Sequence, residues 1–474
     1  MKKNLMKRVF LTFAAILCMT PAFSNFDPYI ALEINLNTPV NFLRLAPVNL
    51  GEGERGFVIL FSEESNVDPW EGSFRFPRHT AWMAVVTDRG EELWRKELPP
   101  RTIPGFWFVP VLAFDLDRNG RDDIFYVANV GNRPFWHGDF RLVQADARTG
   151  EVIAEYPWRR LAHNQANSYK WRFFLIGGYV KGEPVLVTAQ GIYRDMRLQA
   201  WNTGMQRRWE RYFPDDFNGP RGSHSTPILD MDRTGIMQFM WGERCICFDT
   251  GEELFALDGD VWNGHSDTVL PFYDRENDTW NFFTTRETVE VGRSERLPRA
   301  VTFNRDGSHL WENGSRRGHY HWGIMGNLGP NGERVAAAAR YPHSSENLPR
   351  QTPIGNWHDA FTGEIVNLPL PLNGRVLDFN GDGVSEFFSG GTLFNNRGEV
   401  IMRTRGRFVN AFKLLDLPGE QLTVFFPDGR IQIWADRNAK ETPEMQKRFA
   451  DPVYKINVRH SASGHNARFP ILNY

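Results

Sequence analysis

A two-part unit recurs eight times along this chain, and no other feature restricts the fold so tightly. The first part is a hairpin with an acidic or Gly-rich turn. It is clearest in FDLDRNGRDDIFYV (114–127), LDMDRTGIMQFMW (229–241) and LDFNGDGVSEFF (377–388). Weaker copies lie at 48–60, 175–187, 270–283, 325–339 and 415–426. The second part is a hairpin with a short Gly-type turn, as in VVTDRGEELW (85–94), QADARTGEVIAEY (144–156), CFDTGEELFAL (247–257), TFNRDGSHLW (302–311), DAFTGEIVNL (359–368) and LFNNRGEVIM (393–402). Variants without that turn are QAWNTGMQRRW (199–209) and IQIWADRN (431–438). Each pair supplies four strands, with turn residues where the chain must reverse. Four-strand units recurring every about 40–65 residues predict an all-β chain folded as a β-propeller. Eight four-stranded blades is the first reading, and seven blades plus a distorted unit the alternative. The eighth unit lacks a local fourth strand, which either IALEINL (30–36) or YKINV (454–458) can supply.

Residues 1–24 have the form of a secretory signal. Lys2, Lys3, Lys7 and Arg8 precede an apolar stretch from Val9 to Met19, and Ala22-Phe23-Ser24 offers a small-x-small cleavage site. The apolar stretch is too short to span a bilayer. The expectation is a secreted or periplasmic protein whose residues 25–474 form a single propeller domain, monomeric and without a membrane partner. Cys245 and Cys247, two apart on one strand, cannot make a disulfide framework. With 55 Lys and Arg against 57 Asp and Glu, bulk charge does not favour nucleic acid. The 16 Trp and 37 Phe suit apolar wedges between blades, or sugar stacking. A quinone-dependent dehydrogenase would be another use of the Trp content, but there are no vicinal cysteines and no cofactor-docking repeat. No organic cofactor is expected.

Strand order assigns each loop to a face of the disc. The acidic turns and the short Gly turns emerge on one face. The loops between second and third strands, and the crossovers between blades, emerge on the other. Eight of the 12 His fall on this second face: His79, His137, His163, His224, His265, His319, His321 and His343. Function carried on loops of a rigid scaffold makes it the candidate functional face. Its Arg221, Arg316 and Arg317 are suited to carboxylate or sulfate, and His319, Tyr320 and His321 to lining sugar subsites.

Two metal patterns stand out. Asp378, Asn380, Asp382 and Glu386 alternate oxygen ligands around Gly383 as a calcium loop does, although Asp, Asn and Gly are also ordinary turn formers. Asp115, Asp117, Asn119 and Asp123 repeat the pattern. His224, Cys245 and His265 make a soft-ligand set suited to zinc, with a free cysteine and hydrogen-bonded histidines as the alternative. Either ion would be structural. Tyr193, flanked by Arg194 and Arg197, is a candidate general base, since neighbouring cations favour its phenolate. Loops of adjoining blades bring His137 and His163 towards it.

The stretch SYKWRFFLIGGYVKGEPVLVTAQGIYRDMRLQAWNTGMQRRW (168–209) resembles the propeller polysaccharide lyases, and SHSTPILDMD (223–232), NGHSDTV (263–269) and DPVYKINVRHSASGHNARFP (451–470) add to the likeness. Short ulvan lyases are similar in length, and rhamnogalacturonan lyases in blade count. The resemblance implies β-elimination on an anionic polysaccharide of uronate and rhamnose, with ulvan favoured. It implies Tyr193 as base, His137 and His163 at the substrate carboxylate, Asn164 as a further donor, and Arg208 as the catalytic arginine with Arg211 as its competitor. The other reading is a glycan-binding propeller without catalysis.

Overall fold

The computed structural model describes residues 26–70, 74–100, 102–131, 139–158, 170–214, 216–259, 262–289, 297–313, 319–341, 353–464 and 466. The leader at 1–24 lies outside the described residues, as do His137, His163, Asn164, Arg316, Arg317 and His343. The rest forms eight four-stranded antiparallel sheets, each made of consecutive strands except the last. Blade 1 runs from Phe42–Gly51 to Glu92–Glu97, and blade 2 from Val111–Phe114 to Val152–Pro157. Blade 3 comprises Phe173–Val180, Glu183–Gln190, Met196–Trp201 and Arg207–Phe213. Blade 4 begins at Ile228–Leu229, blade 5 at Gly264–Asp274, blade 6 at Tyr320–Gly326 and blade 7 at Arg375–Leu377.

Blade 8 is closed by the N-terminal strand. Pro28–Asn35 pairs antiparallel with Arg430–Asp436, joining the first and last strands in one sheet. This removes the open edge that a linear array of sheets would leave. Of the two segments able to supply the strand, 454–458 is instead helical. Two short helices end the described chain, α1 (Pro443–Ala450) and α2 (Pro452–Arg459). Their start signals are local. Thr442 caps α1 by accepting from Met445 N–H, and Asp451 caps α2 by accepting from Val453 N–H, each followed by Pro at the first helical position.

Helix α2 and the turn after it contact the first strands of blades 1, 2, 3 and 4. First strands are innermost and lack a partner on their axial edge, so their backbone groups need other partners. Asn457 supplies two, accepting from Ile228 N–H and donating to Ile228 C=O. His460 Nε2 accepts from Gly177 N–H at 2.7 Å, and Ser463 Oγ accepts from Leu175 N–H. The C-terminal segment is thus an axial plug, with His460 fully enclosed.

Between blades, one contact recurs. Trp94, Trp209 and Trp311 each lie on the short Gly turn of the following blade, over Gly150, Gly251 and Gly363. Their indole N–H groups donate to Ala147, Phe248 and Ala360 carbonyls at 2.8–2.9 Å. A Cβ on any of these glycines would meet the indole at under 3 Å, and each has positive φ. The T-G-E motif therefore does two jobs, turning the hairpin and receiving the neighbour's tryptophan. Part of the Trp content is this wedge.

Candidate functional site

Crossovers and inner strands of five blades meet around Tyr193 on the loop face. Tyr193 follows the second strand of blade 3, where Gly191 turns the chain and Gly222 N–H bonds back to Ile192 C=O. Arg172 immediately precedes the first strand of the same blade. Its guanidinium lies 5.4 Å from the Tyr193 ring centre and 4.5 Å from that of Trp107. Asp68, from the loop of blade 1, pairs with Arg172 Nη2 and accepts from Trp107 Nε1, each at 3.2 Å. Arg172 is buried, so its position is fixed by the aromatic rings and one carboxylate.

On its other side Tyr193 meets His265, one member of a cluster of four histidines and two carboxylates. The rings of Tyr193 and His265 are 4.5 Å apart, and those of His265 and His224 4.6 Å. His265 and Asp267 lie two apart at the start of the inner strand of blade 5. His319 and His321 hold the same spacing at the start of blade 6, with rings stacked at 4.1 Å. Glu287 comes from the second strand of blade 5. Residues at i and i+2 on a strand share a face, so the two pairs present four groups to one space.

The opposite side of that strand is anchored by a charge network. Glu243 is paired with Arg286 at 2.5 Å and accepts from Ser266 and Thr284 hydroxyls, all fully buried. Ser266 also bridges to Ser223, which fixes His224 beside blade 5.

The separations within the cluster are informative. Asp267 Oδ1 is 3.2 Å from His224 Nδ1 and 3.5 Å from His265 Nε2, and Asp267 Oδ2 is 3.3 Å from His321 Nδ1. Glu287 Oε2 is 4.0 Å from His265 Nε2, while Glu287 Oε1 pairs with His319 Nε2. Ligands about 2.0–2.2 Å from a tetrahedral ion stand roughly 3.3–3.6 Å from one another. The three Asp267 separations lie close to that range, while Glu287 stands farther from His265 and in direct contact with His319. His224, His265, Asp267 and Glu287 form one group of donors, and Asp267, Glu287, His319 and His321 a second.

Burial sets the charges. It lowers His265 to about 4 against the partial opposition of Glu287, and lowers His321 to about 4, with His319 adding to the effect. Both are neutral near pH 7, as metal ligands or proton acceptors must be. Burial works against ionisation of Glu287, but His265 and His319 outweigh it and hold the carboxyl well below its usual range. The Tyr193 phenol is pushed well above 10 by burial, which Arg172 only partly offsets. The site holds a protonated phenol at Tyr193, a fixed guanidinium at Arg172, neutral imidazoles at His265 and His321 and an ionised carboxylate at Glu287.

Tyr193, His224, His265, His319 and His321 come together here, and Arg194 is half-buried in the loop beside Tyr193. The arginines expected from the resemblance do not. Arg208 pairs with Asp249 and Asn202, and Arg211 donates to Gly251 C=O, so both point along the last strand of blade 3 to the turn face. Arg221 is buried and braces the crossover into blade 4, donating to Asn263 and to Phe217 C=O. Cys245 falls outside both donor groups. It sits on a third strand opposite Met240 and Phe255, in the apolar core, where burial raises its thiol.

The loop of Asp378, Asn380, Asp382 and Glu386 lies on the turn face and is in neither group. Asp378 accepts from Gly381 and Gly383 N–H, Asp382 from Val384 N–H and Glu386 from Phe379 N–H. Burial, and then Glu420, push Asp378 up to about 7.

Arg172, Asp68, Asp267 and Glu287 were missed in the sequence. H-x-D at 265–267 and H-x-H at 319–321, at equivalent places in consecutive blades, were the available signal.

No family model matches the chain, and no curated protein does. Solved structures do. One described as an exotype rhamnogalacturonan lyase, YesX, is 16% identical with a TM-score of 0.72, covering 93% of this chain and 81% of its own. A rhamnogalacturonan lyase from Bacillus licheniformis is 16% identical with a TM-score of 0.73, covering 92% and 80%. The rhamnogalacturonan lyase YesW is 16% identical with a TM-score of 0.70, covering 91% and 77%. At this identity the likeness establishes the eight-bladed fold. Among the described residues no helix is long and apolar enough to cross a membrane.

Proposed function

We propose that the chain is a polysaccharide lyase that cleaves an anionic, uronate- and rhamnose-containing polysaccharide by β-elimination. The observation that carries this reading is the meeting of Tyr193 with Arg172 on one side and neutral His265 on the other. β-Elimination needs three things: charge opposite the uronate carboxylate, a base for the C5 proton and an acid for the leaving O4. Arg172 takes the first role in place of Arg208 or Arg211. Its guanidinium pairs with the carboxylate and stabilises the negative charge that develops as C5 loses its proton. Tyr193 is the proton-transfer group. As phenolate it accepts the C5 proton; as phenol, the form that burial favours, it protonates O4 as the C4–O4 bond breaks. Arg172 is the cation that partly offsets the burial opposing the phenolate.

The names of the structural neighbours support rhamnogalacturonan as substrate. The set of one tyrosine, one arginine and several histidines supports ulvan. The leader at 1–24 supports action outside the cytoplasm. A divalent ion of the zinc class suits His224, His265, Asp267 and Glu287, where it would supply positive charge, and a calcium ion suits Asp378, Asn380, Asp382 and Glu386 on the turn face. A glycan-binding propeller remains the second reading, favoured by the acidic hairpins.

Incubation with rhamnogalacturonan and with ulvan, followed by near-ultraviolet absorbance, separates these. A rise with either polymer marks the unsaturated uronate of a lyase and names the substrate. Binding to either polymer with no rise and no new chain ends contradicts the lyase reading.

A further inference from the structure

The two donor groups at the site share both of their carboxylates. His224 and His265 lie on one side of Asp267 and Glu287, and His319 and His321 on the other. Each carboxylate divides its oxygens between the sides. Asp267 Oδ1 faces His224 and His265, and its Oδ2 faces His321. Glu287 Oε2 faces His265, and its Oε1 faces His319. A carboxylate serving one ion, or one ion pair, has no need of this division. Two carboxylates that each span two pairs of imidazoles are arranged as bridges.

Burial points the same way. Asp267 and Glu287 are 2% and 7% exposed, and each has imidazole nitrogens within 4.0 Å of its oxygens. Two buried carboxylates drawn into one space are costly without a cation. One divalent ion would balance them, and two would leave the site positive, as an anionic ligand requires. The nitrogen-and-carboxylate donors exclude a purely hard-cation cage and suit first-row divalent metals.

We infer that Asp267 and Glu287 bridge a dinuclear centre, with one divalent first-row ion held by His224 and His265 and a second held by His319 and His321. The two ions differ in access. His265 is 1% exposed and His224 is largely covered, so the first ion is enclosed. The His319 and His321 side chains are 37% and 33% exposed, so the second faces the mouth of the site. This inference rests on the ligand geometry and stands or falls apart from the lyase reading.

The test is metal stoichiometry on the full chain, stripped with a chelator and titrated with Zn²⁺, with bound metal counted by elemental analysis. Wild type is expected to take up two equivalents. H319A/H321A, altered only at part-exposed positions, is expected to lose one and keep one, with an unchanged circular dichroism spectrum. Cys245→Ser is expected to keep both. Loading with Mn²⁺ is expected to give the spin-coupled resonance of a bridged pair. Uptake of one equivalent or none by wild type, an unchanged count in H319A/H321A, or only uncoupled Mn²⁺ would overturn the inference.

Discussion

Both faces of the disc carry acidic residues, and those at the candidate site are held differently from those that close the acidic turns. On the turn face Asp115, Asp230 and Asp378 each accept two backbone N–H groups of their own hairpin. On the loop face Asp68 reaches from blade 1 to Arg172 of blade 3, Asp267 contacts His224 and His321 from either side, and Glu287 reaches His319 of the next blade. A carboxylate satisfied by its own turn shapes a hairpin. One held between blades is positioned by the whole fold, and its charge acts on whatever enters the gap. The meeting of several such groups from successive blades in one space, rather than residue type, distinguishes the candidate site from a well-made turn.

The largest effect expected is at the centre of the converging set. Tyr193→Phe removes only the phenolic oxygen and should lower kcat by ~10²–10⁴ with no loss of fold, read by the near-ultraviolet assay and circular dichroism. Retained activity would take Tyr193 out of the chemistry and leave the converging face without its proton-transfer group.

The axial plug connects the two faces and gives the next effect. Asn457→Ala leaves Ile228 N–H and C=O without their side-chain partners in a buried channel, at a cost of about 1–3 kcal/mol by urea denaturation. An unchanged midpoint would mean that the plug contributes little to holding the inner strands.

The same plug gives a pH dependence. Burial, with Arg459 adding, lowers His460 from 6.5 to about 3, and its Nε2 accepts a hydrogen bond as the neutral ring. The unfolded chain therefore binds the extra proton first. The His460 contribution is present above about 6.5 and is lost as pH falls towards about 3. Urea midpoints across that range should fall less steeply in His460→Gln than in wild type; parallel curves would contradict the assignment.

The smallest effect concerns the turn face. If a calcium ion occupies the loop at 378–386, added Ca²⁺ should raise Tm slightly in wild type and not in Asp378→Asn. No rise in wild type would leave this loop as a turn closed by its own N–H groups.

The legible and illegible parts of the sequence divide along the same line as the two faces. Hairpins are local, so their turns give the blade count and assign each loop to a face. Tyr193, His224, His265, His319 and His321 could be assigned to the loop face for that reason. Their partners could not. Arg172 precedes a strand like many other arginines, and only the packing of Trp107 and Tyr193 around it marks it out. Arg208 and Arg211 lie near Tyr193 in sequence, but their strand carries them to the far face. Cys245 has the right chemistry for a metal, but a third strand places it in the core. The segment at 454–458 alternates like a strand, and the Asp-Pro cap before it decides for helix.

The most direct test of the central claim compares two arginines across the disc. Steady-state turnover would be measured by near-ultraviolet absorbance for Arg172→Ala and Arg208→Ala, on whichever polymer wild type cleaves. The account predicts a loss of ~10²–10³ in kcat for Arg172→Ala, since a cation at developing charge is removed, and unchanged turnover for Arg208→Ala. A silent Arg172→Ala beside a crippled Arg208→Ala would contradict it and move the site to the other face.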